Sequence, residues 1–587
     1  MKTLSNLSKL QDYLINNNID LFLINRTDEF LNEYIAPYAE RLHWVTDFSG
    51  SAGRAIITQN KAVLFVDGRY TFQAKQQINH DQIKIDHYHN FFKVFKESCR
   101  SGKTIAIDPK LHSINEVNKF KKTVEENNSK LIFLNINPID NIWSDQPEIK
   151  YSTIFDHPFE FSGLDRKIKI NKFKESLKDN NLDYYLLTSL DSIAWLLNVR
   201  GDDIRYTPIA FLYLFIPLEG KPIFYASLEN ISSELKKDLN QILILEPINK
   251  IDSLFNEVVK NKKIGMDFLQ TSYFFYNIAL VKDLIVKDLQ NPCLIPKATK
   301  NHVEQEGARN AHIRDGVSIT KFLCYLKNNK DLTKETEISL AEKLFKYRKN
   351  NKLFHSLSFD TISAIGKNAA LPHYRVSKVS DSKIRSNSIY LVDSGGQYYD
   401  GTTDITRTVV LGKPNQEQID RFTRVLKGHI KLATHIFPKG TKGTDIDYLA
   451  RESLNEINCD YDHGTGHGIG SFLSVHEAPQ RIAKKNQFQS VELIPGMIIS
   501  NEPGFYREGE YGIRTENILI IKEKDKKNLS FENISWAPID RDLIDIKMLT
   551  SSEINWINNY HLKVLQNLLN FLDPYEKDWL KNVTAPL

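Results

Sequence analysis

The sequence predicts two α/β domains of like topology followed by a larger mixed α+β domain that carries the chemistry. Three observations lead there. The first half of the chain contains a long internal repeat. Helix patterns in that half alternate with short β-branched or aromatic strands. Carboxylates and histidines of metal-ligand type gather in the C-terminal half, between strand pairs and Gly-rich turns. The 587 residues exceed what one core can hold and allow roughly three to four domains.

The repeat is read in order along the chain. LQDYLINNNIDLFLI (Leu10 to Ile24) resembles FKESLKDNNLDYYLL (Phe173 to Leu187). Each is a helix pattern, an Asn-rich break and a buried strand. WVTDFSG (Trp44 to Gly50) then matches WLLNVRG (Trp195 to Gly201), and both copies continue into apolar strands, AVLFVDG near Val63 and PIFYASL near Phe224. A repeat of this length points to domain duplication and not to a solenoid; chance likeness of two α/β units is the competing reading. The copies meet near Asn141 to Pro158, and the second ends near Asn291 to Pro296, giving expected domains at 1–142, 143–296 and 297–587. The third opens on a long amphipathic helix with Ile313, Val317, Phe322, Leu323 and Leu326 on one face. Beyond it, IYLVDSGG and TVVLG read as strands across a Gly- and Thr-rich turn, and MIISNEPG and YGIRTENILII as a second strand pair around a Gly-bearing loop.

Composition narrows the class. Hydrophobic content is 41%, charged content 26% and net charge +4, with basic residues spread along the chain, so no nucleic-acid stripe is present. The densest charged run, Lys522 to Lys527, is broken by Glu523 and Asp525 and reads as a solvated loop. Cys99, Cys293, Cys324 and Cys459 lie far apart, which excludes a zinc ribbon or disulfide framework and fits a reducing compartment. Leu4, Leu7, Leu10 and Leu14 are spaced as a folded amphipathic helix, not a signal peptide. The longest apolar run, Ile209 to Leu218, is too short to span a bilayer. The expectation is a cytoplasmic protein with neither nucleic-acid nor membrane partners.

Five residues stand out: Asp393, Asp404, His467, Glu502 and Glu516. Taken singly, an Asp in DSGG is a turn residue and a lone His is a packed one. Taken together, carboxylates aimed into one cleft from two apparent hairpins repel one another unless cations sit between them. The set suits two hard divalent cations sharing carboxylates, which is hydrolase chemistry. One imidazole among four carboxylates favours manganese, with zinc or cobalt open. His463 and His476 flank His467, whose neighbouring glycines are expected to let the backbone approach a ligand. His373, after Pro372 in a loop, is a further candidate.

The pieces NAALPHY, DSGGQYYDGTTDITRT, HGTGHGIGSFLSVHE, NEPGFY and GIRTEN resemble, in order, the motifs of the pita-bread metallopeptidases, a group that includes methionine aminopeptidase, prolidase and aminopeptidase P. WSDQPE near Trp143, LDSIAWLLNVRG near Trp195, KNHVEQEGARNAHIRDG near Glu304 and WINNYH near Trp556 extend the likeness to the long, three-domain cytosolic Xaa-Pro aminopeptidases over nearly the whole chain. The resemblance implies two creatinase-like α/β domains, a pita-bread catalytic domain, and cleavage of the bond before a penultimate proline. Proline resists general peptidases because its amide lacks N–H and its φ is fixed. By the same resemblance Asp393 binds one metal ion, His467 and Glu502 bind the other, and Asp404 and Glu516 bridge. A bridging hydroxide attacks the carbonyl and Glu502 accepts its proton. His373 and His476 face the substrate, and His463 binds it near the proline side. A homodimer acting on proline-containing peptides is implied. Arg514 is read either as support for a ligand carboxylate or as a surface salt bridge. Prolidase activity on Xaa-Pro dipeptides is the alternative enzyme, and a pita-bread scaffold that has lost catalysis the alternative from another class.

Overall fold

A computed structural model describes residues 5–100, 102–256, 258–329, 331–485 and 490–587. The chain divides into two compact units, residues 1–157 with 164–293, and residues 158–163 with 294–587.

The first unit holds the duplication. The helix Asn6–Asn16 starts at an N-cap, Ser5, and buries Leu7, Leu10 and Leu14; Leu4 lies outside the described residues. Its counterpart, Arg166–Asp179, is capped by Asp165 and buries Ile170, Phe173 and Leu177. Both helices end in an Asn pair whose second member, Asn18 or Asn181, takes the left-handed conformation at φ 54° or 52°. The Asn-rich breaks of the two copies are therefore the same helix stop. Each copy then builds a six-stranded sheet. In the first copy the strand order is Ile83–His87, Ala62–Val66, Arg54–Thr58, Leu21–Asn25, Thr104–Ile107, Lys130–Phe133. In the second it is Ile244–Pro247, Ile223–Ala226, Tyr213–Pro217, Tyr184–Leu187, Lys263–Met266, Ile285–Asp288. The pairing sense is parallel, antiparallel, antiparallel, parallel, parallel along both sheets. Leu21 and Leu23 face one hydrophobic core while Phe22 and Ile24 face another. A strand covered on both faces needs the unbroken apolar run seen in LFLI. No helix among the described residues is long and apolar enough to cross a membrane.

The longest helix of the second unit, His302–Asn328, follows the short helix Leu294–Ala298 and starts where Asn301 and Glu304 form a reciprocal capping box. Its buried face includes Val317, Phe322, Leu323 and Leu326. Two sheets follow. The first is three-stranded, with Ser388–Ser394 between Ile362–Ile365 and Ile405–Leu411. The second is six-stranded and runs Phe437–Pro438, Asn528–Asn533, Asn517–Glu523, Ile498–Asn501, Gly466–Gly468, Glu477–Ile482.

Two details differ from the sequence reading. The turn between Ser388–Ser394 and Ile405–Leu411 is itself structured: Gly396–Tyr398 and Gly401–Thr402 leave to form a separate small sheet with Phe354–Leu357. YGIRTENILII is two strands, because Tyr511–Arg514 folds back on Gly504–Arg507 before Asn517–Glu523 rejoins Ile498–Asn501. In both cases the break falls in a short polar or Gly-bearing stretch, residues 394–404 or 514–517, that carries no strand period of its own. Periodicity alone therefore does not reveal that the chain changes sheets there.

Candidate metal centre

Those changes of sheet place the candidate residues. Asp393 pairs with Thr406 one step before Ser388–Ser394 ends, and Asp404 directly precedes the strand Ile405–Leu411. Asn501 pairs with Asn517 at the end of the other ladder; Glu502 follows the first and Glu516 precedes the second. Each carboxylate thus sits where strands part and side chains from two sheets can face a common space. The two sheets are tied across this point by the Glu516 amide, which donates to Thr406 O at 3.2 Å, while the Glu502 amide donates to Thr465 O at 2.8 Å within the six-stranded sheet.

His467 lies on Gly466–Gly468, inside the six-stranded sheet and not in a loop. Its glycines have a different role from the one expected. A Cβ at Gly466 would stand 2.1 Å from Ser500 O, and one at Gly468 would stand 2.3 Å from Gln480 Nε2. They admit the neighbouring strands, not a ligand. His467 Nδ1 donates to Gly468 O at 2.9 Å, so Nε2 is the free-electron-pair side. Nε2 lies 3.6 Å from Asp404 Oδ2 and 3.5 Å from Glu502 Oε1.

Asp404, His467 and Glu516 each offer one ligand atom, all within 4.8 Å of one another. Asp404 and Glu516 are 4% and 1% exposed. Asp393 Oδ1, Asp404 Oδ1 and Glu516 Oε1 are buried with no hydrogen-bond partner among the described residues. Burial, reinforced by Glu516, Asp393 and Glu502, pushes the Asp404 carboxyl well above its ordinary range. Burial, with Glu502 and Asp393, does the same to Glu516. Burial lifts Glu502 to about 7 against the pull of Arg514. Orphaned carboxylate oxygens, those of Asp404 and Glu516 on groups of raised proton affinity, facing an imidazole nitrogen, are a donor set that fits hard divalent cations.

Arg514 is 2% exposed, which removes the surface salt-bridge reading. Its guanidinium donates to Asp393 Oδ2 at 2.5 Å, Thr406 Oγ1 at 3.2 Å and Tyr506 Oη at 2.7 Å. Thr406 Oγ1 in turn donates to Glu516 Oε2 at 2.8 Å. One fork therefore orients a carboxylate from each strand junction, directly for Asp393 and through Thr406 for Glu516. Tyr506 Oη also lies 2.8 Å from His463 Nε2, while His463 Nδ1 donates to Gly464 O at 2.7 Å. His463 thus reaches the centre through Tyr506. The His476 ring meets His467 edge-on at 4.4 Å between centroids, and His373 lies 6.4 Å from His476. Every residue singled out in the sequence thus belongs to one connected neighbourhood. Tyr506 and Thr406 went unassigned. The signal for Thr406 was present, since Asp404, Thr406 and Thr408 alternate onto one face of their strand, whereas nothing local marks the Tyr506 hydroxyl.

The duplicated α/β domains and the carboxylate–imidazole cluster at two strand junctions define a metallohydrolase of the creatinase and pita-bread type. Comparisons with known proteins agree. The profile of metallopeptidase family M24 matches residues 306–523, and that of its C-terminal region residues 527–587. Two profiles of the creatinase/prolidase N-terminal domain match residues 6–136 and 145–304. A protein of Aspergillus fumigatus named "Probable Xaa-Pro aminopeptidase P" is 37% identical over 100% of this chain and 93% of its own. A protein of the same name from Talaromyces marneffei is 37% identical over 100% and 92%. The crystal structure of X-prolyl aminopeptidase from Caenorhabditis elegans, described as a cytosolic enzyme with a di-nuclear active site, is 32% identical with a TM-score of 0.95 over 100% of both chains. The prolidase of Pyrococcus horikoshii is 25% identical with a TM-score of 0.53, covering 64% of this chain and 100% of its own. The chain belongs to metallopeptidase family M24.

Proposed function

We propose that this metallopeptidase is an Xaa-Pro aminopeptidase, which removes the N-terminal residue of peptides whose second residue is proline. The observation that carries the chemistry is the convergence of Asp404, His467 and Glu516, with Asp404 Oδ1 and Glu516 Oε1 buried and unpartnered among the described residues. The choice of substrate is supported by full-length likeness to proteins named for that activity, whereas the prolidase likeness covers 64% of the chain.

Asp393, Asp404, His467, Glu502 and Glu516 would hold two divalent ions, with manganese favoured by four carboxylates and one imidazole. When bound, such ions lower the pKa of water and polarise a carbonyl. The protein's own groups do the rest. Arg514 holds Asp393 in one orientation, and Thr406 holds Glu516. Glu502, beside His467 and within 3.3 Å of Ser500 Oγ, is positioned to take the proton from the attacking water. His476 and His373 face the scissile peptide and donate to the oxygen on which charge develops. His463, braced by Tyr506, borders the proline side. A homodimer and a cytoplasmic location complete the proposal, the latter in keeping with the nematode enzyme described as cytosolic. Incubating the manganese-loaded protein with Arg-Pro-Pro should release arginine; no release with metal bound rejects the assignment. Faster turnover of Xaa-Pro dipeptides than of the tripeptide would identify a prolidase instead. The non-catalytic scaffold would hydrolyse neither, and five intact candidate ligands argue against it.

A further inference from the structure

Glu337, the first residue of the helix Glu337–Lys349, carries a carboxylate that is completely buried and has no role in the chemistry above. Its hydrogen bonds all run to one stretch of chain. Oε1 accepts from the Ile365 amide at 2.7 Å and from Asn368 Nδ2 at 3.1 Å. Oε2 accepts from Asn368 Nδ2 at 3.0 Å, Tyr374 Oη at 2.9 Å and the Ser382 amide at 3.1 Å. Ile365 and Ser382 flank the segment 366–381, and Asn368 and Tyr374 lie inside it. The backbone of the same residue adds two more ties, with the Glu337 amide donating to Ser382 O at 3.1 Å and Ser363 Oγ donating to Glu337 O at 2.7 Å.

The segment so pinned carries His373. The Leu371 amide donates to Asn368 O, and the Tyr374 amide donates to Leu371 O, both at 3.1 Å. His373 is therefore the third residue of a tight turn whose closing residue, Tyr374, is fastened by its hydroxyl to Glu337. We propose that Glu337 is a positioning residue for His373: one buried carboxylate closes the loop 366–381 at both ends and sets the turn that presents this imidazole beside His476. The inference rests on the proposed role of His373 in peptide hydrolysis.

Glutamine is the informative replacement. One backbone N–H is aimed at each carboxylate oxygen, from Ile365 and from Ser382. An amide of the same shape must turn its NH2 towards one of these donors in either rotamer, and a backbone donor cannot reverse. We expect Glu337→Gln to bind two manganese ions like the wild type, to lose about tenfold or more in kcat on Arg-Pro-Pro with KM changed less, and to exchange the Ile365 and Ser382 amide hydrogens faster. In a His373→Ala background the same change should cost less than twofold. Tyr374→Phe, which removes one donor and leaves the loop ends intact, should lower kcat in the same direction by a smaller factor and keeps the test open if the glutamine variant does not fold. Wild-type kcat and exchange in both variants, or the full tenfold loss persisting without His373, overturns the inference. A wild-type protein that fails to cleave the tripeptide counts against the proposed function alone, because amide exchange still decides whether Glu337 closes the loop.

Discussion

Arg514 offers a sharp test because its charge and its geometry make opposite predictions. The guanidinium is buried and spends three donors on Asp393, Thr406 and Tyr506. If it acted only as a positive charge beside the metal pocket, it would repel cations. At an effective dielectric constant near 20, a unit charge about 4 Å away contributes roughly 4 kcal/mol. On that reading Arg514→Met would tighten metal binding and Arg514→Lys would change little. If it acts by orienting ligands, both variants weaken binding. Lysine has one compact ammonium and satisfies at most a part of the fork, forfeiting at least one charge-assisted hydrogen bond, or roughly 1.5–3 kcal/mol of stability. Methionine leaves Asp393 buried without its partner, which costs about 3–5 kcal/mol. Loss of an orienting partner typically weakens metal affinity by about 10–100-fold. Manganese titration of the metal-free proteins by calorimetry, with melting curves alongside, separates the cases. We expect weaker binding in both variants and the larger stability loss in Arg514→Met. Tighter binding by Arg514→Met with wild-type affinity in Arg514→Lys would refute the orienting role.

Three further outcomes are expected. Asp404→Ala removes a carboxylate from the centre of the cluster and should abolish both manganese binding and tripeptide turnover; unchanged turnover would remove Asp404 from the site. Gly512→Ala places a Cβ 1.8 Å from Ala369 O in the segment leading to His373; we expect about 1–3 kcal/mol of destabilisation by chemical denaturation and a reduced kcat. His561 is held neutral by burial, with its pKa lowered to about 4, and its Nε2 accepts the Ile539 amide at 3.1 Å. The folded state thus binds fewer protons than the unfolded chain, whose histidine titrates near 6.5. The stability contributed by His561 is present above about pH 6.5 and is lost as pH falls towards 4. Between pH 7 and pH 5 that loss is roughly 2 kcal/mol. His561→Gln can accept the same amide through its carbonyl and does not titrate, so its denaturation midpoint should fall less than the wild type's over this interval; equal falls would contradict the assignment.

The legible parts of this protein are those written locally. The duplication could be read because both copies carry the same helix, the same Asn stop and the same apolar strand, and Asn18 and Asn181 adopt the same left-handed turn. Asp393, Asp404, Glu502 and Glu516 stood out because each lies in a strand–turn–strand setting with Gly or Pro in the turn or the strand beside it. The geometry between them did not. The chain changes sheets within short polar or Gly-bearing stretches that read as simple turns, so two hairpins were expected where four ladders meet. The glycines around His467 were expected to admit a ligand, and only the fold shows that Ser500 and Gln480 are what approaches them. Arg514 left two readings open because its partners Asp393 and Thr406 lie 121 and 108 residues away in sequence. Glu337 was invisible for the same reason, its loop partners being 28 to 45 residues distant and none of them charged. Side chains that work through distant partners carry no local pattern.

The central claim is that side chains from two strand junctions converge to hold a pair of cations. Anomalous diffraction from manganese-soaked crystals tests it directly. The account predicts two manganese peaks in the space bounded by Asp393, Asp404, His467, Glu502 and Glu516, with Asp404 and Glu516 touching both. Absence of density there, or manganese bound elsewhere while these five residues keep their hydrogen bonds unchanged, would contradict it.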